Sequence, residues 1–140
     1  MNSPSGITNL AELIKQMEPV LNEGEYVFAS VTDLKSIPRE ITICEVKEKE
    51  GTTVVLPKEE ALRLGIAFDF VAAWITLNVH SALEAVGLTA AFATALGSAG
   101  ISCNVIAGYY HDHIFVDHHS AEKAMEVLWG MTGEVGDGRL

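Results

Sequence analysis

Hydrophobic residues near the start of the chain recur with the spacing of an α-helix. Apolar side chains at positions 10, 13, 14 and 17 share one helical face. Thr8 or Asn9 can cap this helix, and Pro19 is expected to end it. The next apolar run, 26–31, is rich in β-branched and aromatic residues, so it predicts a strand.

Two further runs of β-branched residues, 41–46 and 52–56, predict a β-hairpin because they flank the turn dipeptide Glu50-Gly51. Pro57 then begins a short predicted helix with an acidic first turn. Gly65 is expected to end that helix in the left-handed conformation. The first half therefore has the predicted order helix, strand, strand, strand, helix.

The second half has the predicted order strand, helix, strand, strand, helix. Apolar and polar positions alternate over 75–79, a loop runs from His80 to Gly87, and an amphipathic helix extends from Leu88 to Ala99. After Gly100 we predict strands over 101–107 and 114–116, and Ser120 is expected to cap a last helix. Without regular helical crossovers, this order favours an antiparallel sheet with helices packed on one face, an α+β fold of the ferredoxin-like type.

The charge of the chain limits its partners. Nineteen acidic residues against nine basic ones give a net charge of −10. Nucleic acids and anionic membrane surfaces are therefore disfavoured, because binding a polyanion requires basic groups that displace its counterions. No apolar run approaches the roughly 18 residues of a membrane span. Residues 1–8 lack the pattern of a signal peptide, and Cys44 and Cys103 lie in separate strand-like runs, so we expect a cytoplasmic protein with reduced cysteines.

All five histidines lie in the second half, and His111-Asp112-His113 is the sharpest local motif. If this segment is extended, both imidazoles project from one face of a strand and could bind a divalent metal together with His118 or His119. The alternative is a turn in which Asp112 accepts hydrogen bonds from the backbone.

Catalysis has less support in the sequence. A nucleophile could be Ser81 beside His80, or Cys103 with a distant histidine. Ser81 can equally bond to the loop backbone, and Cys103 alternates with the apolar side of its strand. Because the phosphate- and dinucleotide-binding motifs are absent from the sequence, we expect a protein that is not an enzyme and uses no cofactor.

Four stretches of the second half form a recognisable pattern: Ile75-Thr76-Leu77-Asn78-Val79, Glu84-Ala85-Val86-Gly87, the helix from Leu88, and Gly100-Ile101-Ser102-Cys103-Asn104-Val105. Through these stretches residues 75–131 resemble the ACT domain, a regulatory module with the element order βαββαβ. The family's loop commonly contains Asp-x-Pro-Gly; here Glu84 and Val86 occupy the Asp and Pro positions, and Gly87 matches. With the stretches 24–28, 75–91 and 108–116, nearly the whole chain is similar to an uncharacterised bacterial family of tandem ACT-like proteins.

The resemblance implies two ferredoxin-like, ACT-like modules: a degenerate N-terminal module over 1–70 and a C-terminal module over 71–132. The glycine-rich tail over 133–140 is expected to be flexible. ACT domains bind amino acids or other small effectors between paired modules, through the loop after the first strand. A glycine at the end of that loop lets a ligand approach the backbone, and the free N–H groups of the following helix favour a carboxylate. By position, the implied ligand site consists of His80, Ser81, Glu84, Val86, Gly87, Leu88 and Asn104.

The resemblance thus implies a regulatory protein that binds a small effector, expected to be an amino acid, and works as a homo-oligomer, either dimer or tetramer. An interaction module without a ligand is one alternative, and a metal-binding protein built on the histidines is another. The C-terminal module has no fourth predicted strand of its own. We therefore expect the N-terminal half to complete its sheet, because an open edge would favour pairing with a second chain.

Overall fold

The computed structural model describes residues 9–79 and 87–133. Short 3-10 turns lie at Leu34–Ser36, Arg39–Ile41 and His118–Ser120. Within the described ranges the helices and strands are α1 (Leu10–Gln16), β1 (Glu18–Leu21), β2 (Tyr26–Val31), β3 (Cys44–Lys47), β4 (Thr52–Pro57), α2 (Lys58–Leu64), β5 (Val71–Asn78), α3 (Leu88–Ser98), β6 (Asn104–Ala107), β7 (Asp112–Asp117) and α4 (Ala121–Thr132).

The seven described strands form one antiparallel sheet in the order β3-β4-β2-β5-β7-β6, with β1 also paired to β5. β1 and β2 lie on the same side of β5, because Val27 pairs with Val71 at one end of β5 and Glu18 pairs with Asn78 at the other. β7 pairs with the opposite side of β5. β1 therefore supplies the fourth strand that the second half lacks, which confirms the expectation from the sequence.

The described helices pack on one face of this sheet. Around β5 and β7 the core contains Ile75 and Ile114, and Phe92 of α3 and Leu128 of α4 bury their side chains against them. Leu13 of α1 is fully buried in the same cluster, so the first helix packs with the second half of the chain. A smaller cluster joins α2 to β2 and β4. The module boundary at residue 70 stays a prediction.

The opposite face of the sheet is rich in aromatic residues. Tyr26, Val55, Ala72 and Phe115 are buried there, and Trp74 stacks on Phe115 with ring centroids 6.0 Å apart. Phe115 also receives Phe28 edge-on at 5.4 Å. These contacts run across β2, β5 and β7, so this aromatic face extends through both halves of the chain.

Most predicted elements are confirmed, including the fold class, the order of the second half and the β3–β4 hairpin. Asn9 is the cap of α1, since its Oδ1 accepts the N–H of Glu12 at 3.0 Å. Gly65 adopts φ +69° at the end of α2, as predicted.

Four local predictions are wrong. Pro19 lies inside β1, an unpredicted strand, and proline is tolerated there because β1 pairs with β5 alone among the described strands. The strand predicted over 41–46 begins at 44, after a 3-10 turn. The strand predicted over 101–107 begins at 104, because the N–H of Ile101 bonds to Leu96 O and closes α3. Ser120 precedes α4 but makes no side-chain cap.

Candidate functional site

The junction between the β5–α3 loop and α3 is built around Gly87. This residue has φ +100° and ψ −20°, a conformation that favours glycine, and no side chain caps the helix that begins at Leu88. A Cβ at Gly87 would lie 3.0 Å from Cδ2 of Leu10, so α1 packs closely against the junction. Leu88 is buried in the core, and the backbone is therefore what it can offer to a ligand.

Of the other predicted ligand residues, Asn104 alone lies within the described ranges. His80, Ser81, Glu84 and Val86 lie outside the described residues. Asn104 pairs with Phe115, and Phe115 pairs with Trp74 in β5. Trp74 lies four residues before the end of β5, a distance of about 13 Å along a strand. Asn104 is therefore remote from the start of the loop, and its Nδ2 donates to Phe115 O at 3.2 Å.

A cavity of about 400 Å³ opens on the aromatic face. Its walls include Trp74 and Phe115 from the centre of the sheet, Cys44 from β3, and His113 from β7. Trp74 and Phe115 are not among the site residues that the sequence predicts. The sequence feature that could have identified them is the alternation of side chains along a strand. It places Trp74 on the same side as Thr76, and Phe115 on the same side as His113, away from the helices.

A hydrogen bond decides which ring nitrogen of His113 carries the proton in this cavity. Its Nδ1 lies 3.1 Å from Nε1 of Trp74, and an indole N–H can only donate. Nδ1 must therefore accept, and the proton of the neutral ring lies on Nε2. Burial lowers the pKa of His113, the nearby His111 lowers it further, and Asp112 partly opposes both. His113 is consequently a neutral N–H donor at physiological pH.

The motif His111-Asp112-His113 does not form one group of ligands. Asp112 pairs with Leu77 on the helical face of the sheet, whereas His113 pairs with Thr76 on the aromatic face. His111 precedes β7 in the hairpin loop, and its buried Nδ1 has no hydrogen-bond partner among the described residues. Burial raises the pKa of Asp112, with His113 acting in the opposite direction. Because neighbouring strand residues point to opposite faces, extended backbone separates Asp112 from His113.

Both cysteines are free thiols. Burial raises the pKa of Cys103 to about 11, so this thiol is protonated at neutral pH. A protonated thiol is a poor nucleophile, which disfavours the catalytic role considered for Cys103.

None of the helices in the described ranges has the length and apolar character of a membrane-spanning segment.

Comparison with known proteins decides the family. An ACT domain model matches residues 5–73, and a second ACT domain model matches residues 70–129. The chain belongs to the ACT domain family. The two ACT matches together span 5–129 and meet at the start of β5, where the aromatic face passes from one half to the other.

Solved structures agree with the tandem ACT architecture. A Vibrio cholerae protein of unknown function, described as a possible transport protein, is 47% identical, with a TM-score of 0.79 over 88% of this chain and 95% of that one. An Agrobacterium tumefaciens protein matches at 16% identity and TM-score 0.64, covering 83% and 89% of the two chains. The ligand-free regulatory subunit of aspartate kinase from Thermus thermophilus matches at 11% identity and TM-score 0.63, covering 84% and 97%. No curated protein matches the chain.

Proposed function

We propose that this ACT protein is a regulatory protein that binds an amino acid and acts as a homo-oligomer. The observation that carries the proposal is the junction at Gly87. A left-handed glycine there ends the family's ligand loop and leads into α3 without a side-chain cap. The first N–H groups of a helix have no partner within the helix, so they are available to a ligand carboxylate.

The chemistry of an amino acid suits this arrangement. Its carboxylate would bind the N–H groups at the start of α3, where the helix dipole favours negative charge. Its ammonium group would be accepted by Glu84 in the loop, within a chain that is acidic overall. The regulatory subunit of aspartate kinase, which shares the fold, supports a regulatory role for a chain of this architecture.

Self-association would use an open strand edge. β6 ends the strand order of the described sheet, so its outer side has no strand partner within the described chain. Such an edge presents unpaired N–H and C=O groups to a second strand. A second copy of the same chain would pair with β6 and bring two β5–α3 junctions into one assembly.

A thermal-shift screen with the twenty amino acids tests the proposal. A ligand at a hundredfold excess over Kd stabilises the folded state by about 2.7 kcal/mol, which raises the Tm of a domain of this size by several degrees. We expect one or a few amino acids to give such a shift. Light scattering coupled to gel filtration, with and without that ligand, measures the oligomer.

The variant Gly87→Ala locates the binding site. Its Cβ would strain the backbone and crowd Leu10, so the ligand-induced shift should be lost relative to the variant's own baseline. Gly130→Ala is the matched control, because Gly130 lies in α4 with nothing within 4 Å of an added Cβ. An unchanged ligand response in Gly87→Ala, or no response of the natural chain to any amino acid, would contradict the proposal.

An interaction module without a ligand is the second candidate. Tyr109 and Tyr110 favour it, because they are 71% and 65% exposed and contact each other edge-on at the tip of the β6–β7 hairpin. Exposed aromatic side chains are enriched where proteins bind one another. A screen without any ligand response, combined with loss of self-association on replacing both tyrosines by serine, would favour this candidate.

A further inference from the structure

We propose that the turn between β7 and α4 holds a binding site for a divalent transition-metal ion such as Zn²⁺. One potential ligand atom from each of Asp117, His118 and His119 lies within 4.8 Å of the other two. The rings of His118 and His119 are close neighbours, with centroids 3.9 Å apart and planes tilted by 38°. Within the described ranges, histidine, cysteine and carboxylate ligands converge in this way at this turn alone.

The hydrogen bond of His118 prepares it as a ligand. Its Nδ1 lies 3.1 Å from the backbone oxygen of Val71, and a carbonyl oxygen can only accept. The proton of the neutral ring therefore lies on Nδ1, and the lone pair of Nε2 is free to bind a metal. Metal-binding histidines in proteins are commonly oriented in this way, by a backbone carbonyl at the other ring nitrogen.

His113 has the opposite arrangement. Its Nδ1 accepts the N–H of Trp74, so Nε2 carries the proton and has no lone pair to offer while that bond persists. The two histidines are thus distinguished by the chemical nature of the partner at Nδ1. The structure favours His118 over His113 as a metal ligand for this reason.

Two carboxylates flank His118. Oε2 of Glu25 lies 3.9 Å from Nε2, and Oδ1 of Asp117 lies 3.8 Å from Nδ1. Lys58 approaches the other oxygen of Glu25 at 3.3 Å, which leaves Oε2 facing the histidine. Glu25 is therefore the carboxylate beside the nitrogen that can bind a metal, whereas Oδ1 of Asp117 lies beside the protonated Nδ1 and accepts the N–H of His119 at 2.8 Å. Two imidazoles with one carboxylate form a ligand set that suits Zn²⁺.

The distances require small side-chain movements. Zn–N bonds of about 2.0–2.1 Å place neighbouring ligand atoms about 3.4 Å apart. The 3.9 Å between Glu25 and His118 is close to that value, and His119 is exposed, so its ring can rotate. A cavity of about 290 Å³ lies beside Glu25 and His118 and has room for the ion and its water ligands.

The proposed metal site lies between residues of the two ACT halves. Glu25 lies in the first ACT match, and His118 lies in the second. Val71, which orients His118, begins the strand shared by both halves. An ion bound to His118 and Glu25 would therefore connect the two ACT halves, and its binding should raise the Tm of the chain.

Calorimetric titration of the untagged full chain with Zn²⁺ tests the proposal, with Co²⁺ absorption spectra as a second readout of the ligands. We expect one ion per chain in the natural protein. His118→Ala and His119→Ala should each weaken binding at least tenfold, and the double variant His111→Ala/His113→Ala is the matched control that should stay within twofold.

Glu25→Gln keeps the side-chain size and should weaken binding and reduce the metal-induced rise in Tm. If His118→Ala fails to fold, the exposed His119 and Glu25 variants carry the test. Equal binding by the natural chain and by the His118 and His119 variants would overturn the proposal. Loss of binding confined to the His111/His113 control would overturn it as well, because it would place the ion at the hairpin.

Discussion

The packing of α1 against the second half leads to a specific prediction for Leu13. Leu13→Ala removes three carbon atoms from a side chain with 0% exposure, in the cluster formed by β5, α3 and α4. At roughly 0.8 kcal/mol for each buried methylene, the lost transfer free energy is about 2.4 kcal/mol. The cavity left behind adds to this loss, so we expect a decrease in the free energy of unfolding of about 3 kcal/mol.

Urea denaturation followed by tryptophan fluorescence measures this change, because Trp74 and Trp129 both belong to the second half. Lys15→Ala is the matched control on the exposed side of the same helix, and it should change the free energy of unfolding by no more than about 0.5 kcal/mol. Hydrogen exchange should show loss of protection in β5 and α4. A decrease below about 1 kcal/mol for Leu13→Ala, or loss of protection confined to the β3–β4 hairpin, would refute the packing argument.

Two further predictions follow from the shifted pKa values. The pKa of folded His113 lies below the ordinary value of 6.5, so as pH falls the unfolded chain binds the proton before the folded chain does. The contribution of His113 to the free energy of unfolding is therefore constant above about pH 6.5 and declines below it. Trp74→Phe removes the N–H that keeps Nδ1 unprotonated, and the decline between pH 7.5 and 5, measured by urea unfolding, should become shallower; a steeper decline would contradict the tautomer. The thiol of Cys103, with its pKa near 11, should react with iodoacetamide at pH 8 roughly a hundredfold more slowly in the folded than in the urea-unfolded chain, with the modified residue identified by mass spectrometry. Equal rates would show that the thiol is accessible and ionised.

Local patterns were sufficient for most of the fold. The spacing of apolar residues in α1 and α3, the left-handed glycines after helices, and the turn between β3 and β4 depend on a few neighbouring residues, so the sequence predicts them directly. β1 escaped prediction because its first two residues, Glu18 and Pro19, have low strand propensity. That segment becomes a strand because β5 offers it a partner, and this partner lies more than fifty residues away in sequence.

The candidate sites depend far more on long-range contacts. Sequence spacing placed the metal ligands at His111 and His113, yet it could not show which partner each ring nitrogen meets. Trp74 meets His113 and the carbonyl of Val71 meets His118 only because β5 and β7 are neighbours in the sheet. The chain order thus specifies which residues can form helices and strands, since those bonds are local. Strand pairing decides the tautomer of a histidine, the burial of a thiol and the environment of each face of the sheet. Each of these properties depends on atoms that are brought together from distant parts of the chain.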